Sequence, residues 1–176
     1  MNYLKDKNDI LKLLSSGNDT FIHLYSDQTQ STSKDFNAIR SISRDLIKEH
    51  SFGGICFEIE SMDIYGSSLD LGEDCYLPII KSEIGDDLED VYDQALTDFL
   101  VPSKLGALIC TVDRPFLAYK SLFLFPHFRC RFDYIIVYHG WGELRGSRYP
   151  FMDIFNKFNY IISYKDDFIY IAKRSY

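Results

Sequence analysis

Apolar positions along the chain alternate between the period of a helix and the period of a strand. They recur at three- and four-residue spacing in the segments 8–17, 33–50, 86–100 and 150–158. The segment 86–100 has the clearest pattern, with Leu88, Tyr92 and Leu96 on one side and Pro102 directly after it. Because this spacing collects apolar side chains on one helix face, the sequence predicts three helices and a short fourth at 150–158.

Shorter apolar stretches of strand length lie between and after these helices. They cover 20–25, 55–59, 75–80, 105–112, 133–138, 160–164 and 168–172. Pro78 lacks the backbone N–H that a central strand needs, so we expect the stretch 75–80 at an edge of the sheet. The last two stretches flank the polar residues Lys165, Asp166 and Asp167 and predict a C-terminal hairpin.

Two regions fit more than one structure. In the segment 115–126, Pro115 suits the first turn of a helix, whereas Leu122 to Phe125 is as typical of a strand. Residues 61–74 are rich in Gly, Ser and acid and predict a loop or a strand with an irregular edge.

No repeat or linker divides the chain, so we predict a single domain over 1–176. Its class is mixed α+β, with three or four helices packed on a mixed sheet.

Composition supports a soluble globular domain. Of the 176 residues, 46% are hydrophobic and 16% aromatic, which suffices for a core without disulfide bonds. The cysteines Cys56, Cys75, Cys110 and Cys130 have no CxxC spacing, so we interpret them as buried thiols. No run approaches 18 apolar residues and the first residues lack the apolar core of a secretory signal. We therefore expect a cytoplasmic protein that does not span a membrane.

Acidic residues are concentrated in the middle of the chain. Residues 51–100 contain thirteen Asp or Glu and a single basic residue, Lys81, whereas the last seventy-six contain eleven basic and six acidic residues. Massed like charge repels itself and destabilises a compact state, so this block predicts a basic partner outside the chain.

The candidate partner-binding residues lie on the third predicted helix and just before it. They are Glu73, Asp74, Glu83, Asp86, Glu89, Asp90 and Asp93. Carboxylates in the first turn also stabilise a helix through its dipole, which accounts for Asp86 without a partner. Asp93 lies too deep in the helix for that benefit, and no Lys or Arg follows it at the four-residue spacing of a helical ion pair.

A metal site is a second interpretation of the same acids. Asp63, Asp70, Glu73 and Asp74 do not have the ligand spacing of an EF-hand calcium loop. We therefore predict no metal ion and no cofactor.

The loop after the strand 133–138 is the candidate for catalysis. His139 and Glu143 would suit an acid/base pair there, with Arg145 and Arg148 available for an anionic substrate. The chain contains no GxGxxG, GxxxxGK[ST], GxSxG or HExxH sequence, and its four histidines are scattered, so no Ser or Cys acquires an evident local base. We predict that the protein is not an enzyme, and a small α/β transferase or hydrolase stays the alternative.

Basic residues of the C-terminal part could bind nucleic acid. They are Arg129, Arg131, Arg145, Arg148, Lys157, Lys173 and Arg174. Because the formal net charge is −7, we interpret them as counter-ions to the protein's own acids and expect no nucleic acid partner.

A small, acidic, aromatic-rich α/β domain with a charge block and no catalytic signature resembles the immunity proteins of bacterial contact-dependent growth inhibition and related polymorphic toxin systems. The resemblance is one of type across the whole chain. It implies that the protein binds and neutralises a cognate toxin, commonly a nuclease with a basic substrate groove, because carboxylates can occupy the positions of phosphates. An acidic adaptor for a basic host protein is a further alternative.

Overall fold

Seven strands form one sheet in the computed structural model of this chain. The structure describes residues 7–26, 42–60, 79–83, 87–112, 115–138, 150–166 and 169–175. The strands are β1 (Thr20–Tyr25), β2 (Gly53–Glu60), β3 (Ile79–Glu83), β4 (Lys104–Thr111), β5 (Arg131–Tyr138), β6 (Tyr160–Lys165) and β7 (Ile169–Arg174). Their order across the sheet is β3-β2-β1-β4-β5-β7-β6.

Five of the strands run in the same direction. β3, β2, β1, β4 and β5 pair in parallel, and β7 is antiparallel to both β5 and β6. The chain proceeds outward from β1 through β2 to β3, then returns to the other side of β1 at β4. The strand order therefore reverses between β1 and β4, which is the topological switch point of a doubly wound sheet.

Helices cover both faces of the sheet. They are α1 (Lys7–Leu14), α2 (Ile42–His50), α3 (Leu88–Asp98), α4 (Pro115–Leu124) and α5 (Phe151–Lys157). One core joins α3, α4 and α5 to the sheet around Leu24, Phe57 and Leu108. The second core joins α1 and α2 to the opposite face around Phe21 and Ile109. A strand that is covered on both faces needs apolar residues at consecutive positions, as in β4, which is buried from Leu105 to Thr111.

Two glycines permit close approach of the backbone at the ends of these central strands. A Cβ at Gly54 would lie 2.6 Å from the carbonyl oxygen of Phe21, and a Cβ at Gly106 would collide with the carbonyl of Asn18. No larger residue fits there without a shift of the neighbouring strand.

The predicted mixed α+β class and the C-terminal hairpin are confirmed. β3 forms one edge of the sheet, although it begins at Ile79, and residues 75–78 lie outside the described residues. The segment 115–126 forms a helix over Pro115–Leu124, which gives five described helices instead of three or four. Ala118, Ser121 and Leu122 are buried there at three- and four-residue spacing, so packing on α3 and β4 decides for the helix. Of the second predicted helix, 33–50, the structure describes the part from Ile42.

Three cysteines of the described residues are free thiols in the core. Cys56, Cys110 and Cys130 are buried, as expected, and Cys75 lies outside the described residues. Among the helices that the structure describes, none is both long and apolar enough to cross a membrane.

Candidate ligand site at the carboxyl edge of the sheet

The carboxyl ends of β1, β2 and β4 meet beside the first turn of α2. Tyr25, near the end of β1, is in register with Glu58 on one neighbouring strand and with Thr111 on the other. This edge includes the switch point, where the connections leaving β1 and β4 run to opposite sides and leave a crevice for ligands. Polar side chains at this level are therefore candidates for ligand binding.

A buried polar cluster lies at this edge. His23 is fully buried and contacts two hydroxyl groups, with Nδ1 against Ser43 Oγ and Nε2 2.8 Å from Thr111 Oγ1. Tyr25 Oη donates to Glu58 Oε2 at 3.4 Å, and both residues are also fully buried. A neutral imidazole has one donor nitrogen and one acceptor nitrogen, so one of the two hydroxyls donates to His23 while the other accepts.

Ser43 extends the cluster to a thiol. Cys56 is in register with His23 on the neighbouring strand. Burial raises the pKa of Cys56 to about 12, although a hydrogen bond from Ser43 acts in the opposite direction. The thiol therefore stays protonated at neutral pH and is not a nucleophile. Since His23, Ser43 and Thr111 are all buried, their direct effect is to fix α2 against the ends of β1 and β4.

An ion pair joins the first turn of α2 to α1. Asp45, in its first turn, pairs with Lys7 of α1, and Arg44 Nε lies 3.7 Å from the same carboxylate. Asp45 is largely buried, so these cations offset the cost of removing its charge from water. Together the ion pair and the His23 contacts hold the first turn of α2 against α1 and against the carboxyl ends of β1 and β4.

The predicted partner-binding residues have different environments. Glu73, Asp74 and Asp86 lie outside the described residues, and Glu83 is the last residue of β3. Glu89 and Asp90 are exposed in the first turn of α3. Since α3 follows the carboxyl end of β3, these acids lie at the same edge of the sheet as the buried cluster.

Asp93 has a counter-ion that the sequence spacing does not reveal. Arg129 Nη1 lies 3.1 Å from Asp93 Oδ1 and donates to its backbone oxygen at 2.9 Å. Arg129 Nη2 also donates to Thr97 Oγ1, and Gln94 donates to Asp98 Oδ1 at 2.7 Å. The acids of the second half of α3 are thus neutralised or hydrogen-bonded internally, and only the first turn presents carboxylates without a described partner.

The residues of the loop predicted for catalysis and of the calcium alternative are not among those that the structure describes. His139, Glu143, Arg145 and Arg148 lie outside the described residues, as does 63–74, although β5 ends at Tyr138 as predicted. Within the described part of the chain, no three His, Cys, Asp or Glu side chains are grouped so that they could hold a metal ion.

His23 is the functional candidate that sequence reasoning missed. A lone histidine in the otherwise apolar strand Thr20–Tyr25 is a visible signal, because an unpaired buried imidazole is costly. Its partners are 20 and 88 positions away, so spacing along the chain could not identify them.

Comparisons with known proteins identify no relative: no family model matches the chain, and a search of curated proteins finds no match. One fold hosts many functions, so function has to be inferred here from the site itself.

Proposed function

We propose that this protein is a small α/β enzyme of the transferase or hydrolase class that binds a ribose-bearing small molecule at the carboxyl edge of its sheet. The observation that carries the proposal is the position of the buried polar cluster at the switch point between β1 and β4. From the residue pattern alone, this class is second to an immunity protein. Strand order, which periodicity does not supply, is the reason to place it first.

Strand order supports a nucleoside or nucleotide as the ligand. The order β3-β2-β1-β4-β5 is that of sheets which bind nucleotides across the switch point. In such sheets a carboxylate one strand–helix unit after the first strand binds the ribose hydroxyls. Glu60 is the last residue of β2 and occupies the corresponding place in the chain. The sequence has no GxGxxG turn, whose backbone would bind the diphosphate of a dinucleotide. A nucleoside or mononucleotide is therefore favoured over a dinucleotide.

The buried cluster supports this site by positioning it. A binding site needs rigid supporting side chains to hold its ligand contacts within about 0.5 Å of the productive geometry. His23 links β1 to α2 and β4 through two hydroxyl contacts, and Tyr25 links β1 to β2 through Glu58. The three strands that surround the crevice are thereby fixed relative to one another.

Ligand-observed NMR with a panel of nucleosides and mononucleotides tests the proposal, followed by calorimetry on any binder. Glu60→Gln removes the carboxylate and keeps its shape, so we expect affinity to fall about tenfold or more, as for other hydrogen bonds to charged groups. Glu49→Gln is the matched control, because Glu49 is an exposed carboxylate near the carboxyl end of α2 and lies away from the candidate ligand site. No binding by any member of the panel, or equal loss in both variants, would refute the proposal.

A second candidate function is neutralisation of a basic toxin in the cytoplasm. Asp87, Glu89 and Asp90 are exposed and form no ion pair with any residue that the structure describes. Exposed like charges of this kind steer a basic partner and raise its association rate.

The structure changes which residues test this second candidate. Asp93→Lys would break the ion pair with Arg129, so a loss of binding could reflect local unfolding. Glu89→Lys with Asp90→Lys alters the exposed acids alone. We expect slower association and a weaker salt dependence with a basic partner captured from the native strain. Asp153→Lys, in the first turn of α5, is the control. Unchanged association kinetics in the double variant would exclude this surface.

A further inference from the structure

Two adjoining cavities open at the amino edge of the sheet, opposite the candidate ligand site. Their volumes are about 600 and 490 Å³, and both are lined by Arg131, Arg174 and Ser175. Arg131 begins β5, and Arg174 ends β7, which runs in the opposite direction. The shared residues place the two cavities side by side, and together they are here called the amino-edge groove.

The amino-edge groove is basic although the protein is acidic. Arg131, Lys157 and Arg174 line the first cavity, and none of its described lining residues is acidic. Lys104 and Lys173 add to the second cavity, in which Asp133 is the acidic lining residue. Among the described lining residues, five cations therefore share one carboxylate, in a protein of net charge −7. The field in the groove favours a polyanion.

The counter-ion interpretation does not account for these cations. Arg129 does pair with Asp93, as that interpretation requires. By contrast, Lys104, Arg131, Lys173 and Arg174 form no ion pair with any acidic residue among those described. Charges that are held close together without internal partners are available to an external anion.

Aromatic rings line or flank the same groove. Phe128 lines the first cavity and is 73% exposed, which is unusual for a phenylalanine. Phe158 also lines it, with Lys157 Nζ 5.4 Å from its ring centroid. The ring of His127 stacks on Phe158 with centroids 4.4 Å apart. Exposed aromatic faces beside cations are the elements on which unpaired bases stack.

His127 adds no charge to this cavity. Its Nε2 donates to the backbone oxygen of Leu122 at 2.7 Å, which leaves Nδ1 unprotonated. Nδ1 is buried and has no hydrogen-bond partner among the described residues. Burial lowers the pKa of His127 to about 4, in keeping with a neutral ring.

We propose that the amino-edge groove binds single-stranded nucleic acid, with phosphates along Arg131 and Arg174 and a base stacked on Phe128. Two cavities side by side provide room for several nucleotides in a row. An acidic protein would satisfy the cations but has no planar bases to use the exposed ring of Phe128. This site lies at the opposite edge from the proposed ribose-binding site, so either can fail without the other.

Fluorescence anisotropy with a labelled oligothymidylate of about 12 nucleotides tests the proposal on the full chain. Four neutralised phosphates predict a slope of about −3 for the logarithm of affinity against the logarithm of salt concentration. Arg131→Gln with Arg174→Gln should weaken binding about twentyfold at about 0.1 M salt and reduce the slope by about 1.4. Phe128→Ala should weaken binding about tenfold and leave the slope unchanged, because stacking involves no counter-ions.

Matched controls lie on α4, outside the lining of the groove. Lys120 Nζ is 5.9 Å from the ring of Phe116, which is 50% exposed, so the pair resembles the groove in chemistry but not in place. Lys120→Gln and Phe116→Ala should each change affinity less than about twofold, as expected outside the groove. Circular dichroism and thermal unfolding establish that every variant is folded.

Three results would overturn the proposal. One is the absence of saturable binding by the unaltered protein. Another is equal weakening by the groove variants and the controls. The third is competition by polyglutamate as effective as that by unlabelled oligonucleotide, together with no effect of Phe128→Ala, which would make the groove a site for acidic proteins.

Discussion

Arg129 Nη1 lies 3.1 Å from Asp93 Oδ1 and joins the turn between α4 and β5 to the middle of α3. The same guanidinium donates to the backbone oxygen of Asp93 and to Thr97 Oγ1. It therefore satisfies three acceptors on one helix face. From its spacing along the chain, Asp93 has no basic partner. In the fold it forms an ion pair with Arg129, which lies 36 positions away in the sequence.

Arg129→Ala should cost more stability than Asp93→Ala. The arginine change removes all three contacts, about 1 to 2 kcal/mol, while the aspartate change leaves two of them and should cost less than about 1 kcal/mol. Both side chains are more than a third exposed, so a double-mutant cycle should give a coupling of about 0.5 kcal/mol. Urea unfolding of the four proteins measures it. Coupling above about 2 kcal/mol would show that the pair is not screened by water.

Gly54→Ala should destabilise the fold, and Gly53→Ala should not. A Cβ at Gly54 would lie 2.6 Å from the carbonyl oxygen of Phe21 and 2.9 Å from its ring, whereas a Cβ at Gly53 meets nothing within 4 Å. Backbone must shift at the first position, so we expect a loss of about 2 kcal/mol or more, as for other overpacked sites. For Gly53→Ala the free energy of unfolding should change by less than about 0.5 kcal/mol. Similar unfolding midpoints for the two variants would contradict the tight pairing of β1 with β2.

Local pattern predicted most elements of this fold because each is short and strongly periodic. The Leu88–Asp98 helix shows one buried face at helical spacing. Pro78 indicated that the stretch 75–80 lies at an edge, and β3, which begins at Ile79, is the first strand in the order of the described sheet. The segment 115–124 was undecided because apolar residues there fit both periods, and contacts with α3 resolve it. Strand order was not predictable, since it depends on which strands pair and not on their own patterns.

The candidate sites depended still more on long-range contacts. His23 meets Ser43 and Thr111 only when β1, α2 and β4 are assembled. The amino-edge groove likewise collects Arg131 and Arg174 because an antiparallel strand returns to the start of β5. Charge counting along the chain found the acidic block but could not separate acids with internal partners from acids that face solvent.

Thr111→Val should destabilise the protein by removing the hydroxyl that contacts the buried imidazole of His23. Valine has the shape of threonine and lacks the hydroxyl that lies 2.8 Å from His23 Nε2. We expect a loss of about 1 kcal/mol, the net contribution of one hydrogen bond. Thr20→Val is the control, because the Thr20 hydroxyl bonds to Asn18 in an exposed position of the same strand. A loss of less than about 0.5 kcal/mol in Thr111→Val would show that His23 finds another partner.

His127 should make the protein less stable in mild acid. Burial lowers its pKa from 6.5 to about 4, chiefly because the charged ring would lose its hydration. Between these values the unfolded chain binds a proton that the folded protein does not, so stability rises with pH. The contribution is fully present above about pH 6.5 and is lost as pH falls towards 4, in total about 3 kcal/mol.

Urea unfolding at a series of pH values measures how steeply the free energy of unfolding depends on pH. His127→Gln should flatten this slope between pH 4 and 6.5, because glutamine does not titrate. The amide can still donate to the Leu122 oxygen, which keeps the comparison free of a second lost bond. An identical slope in the unaltered protein and the variant would mean that the folded state accepts the proton on Nδ1.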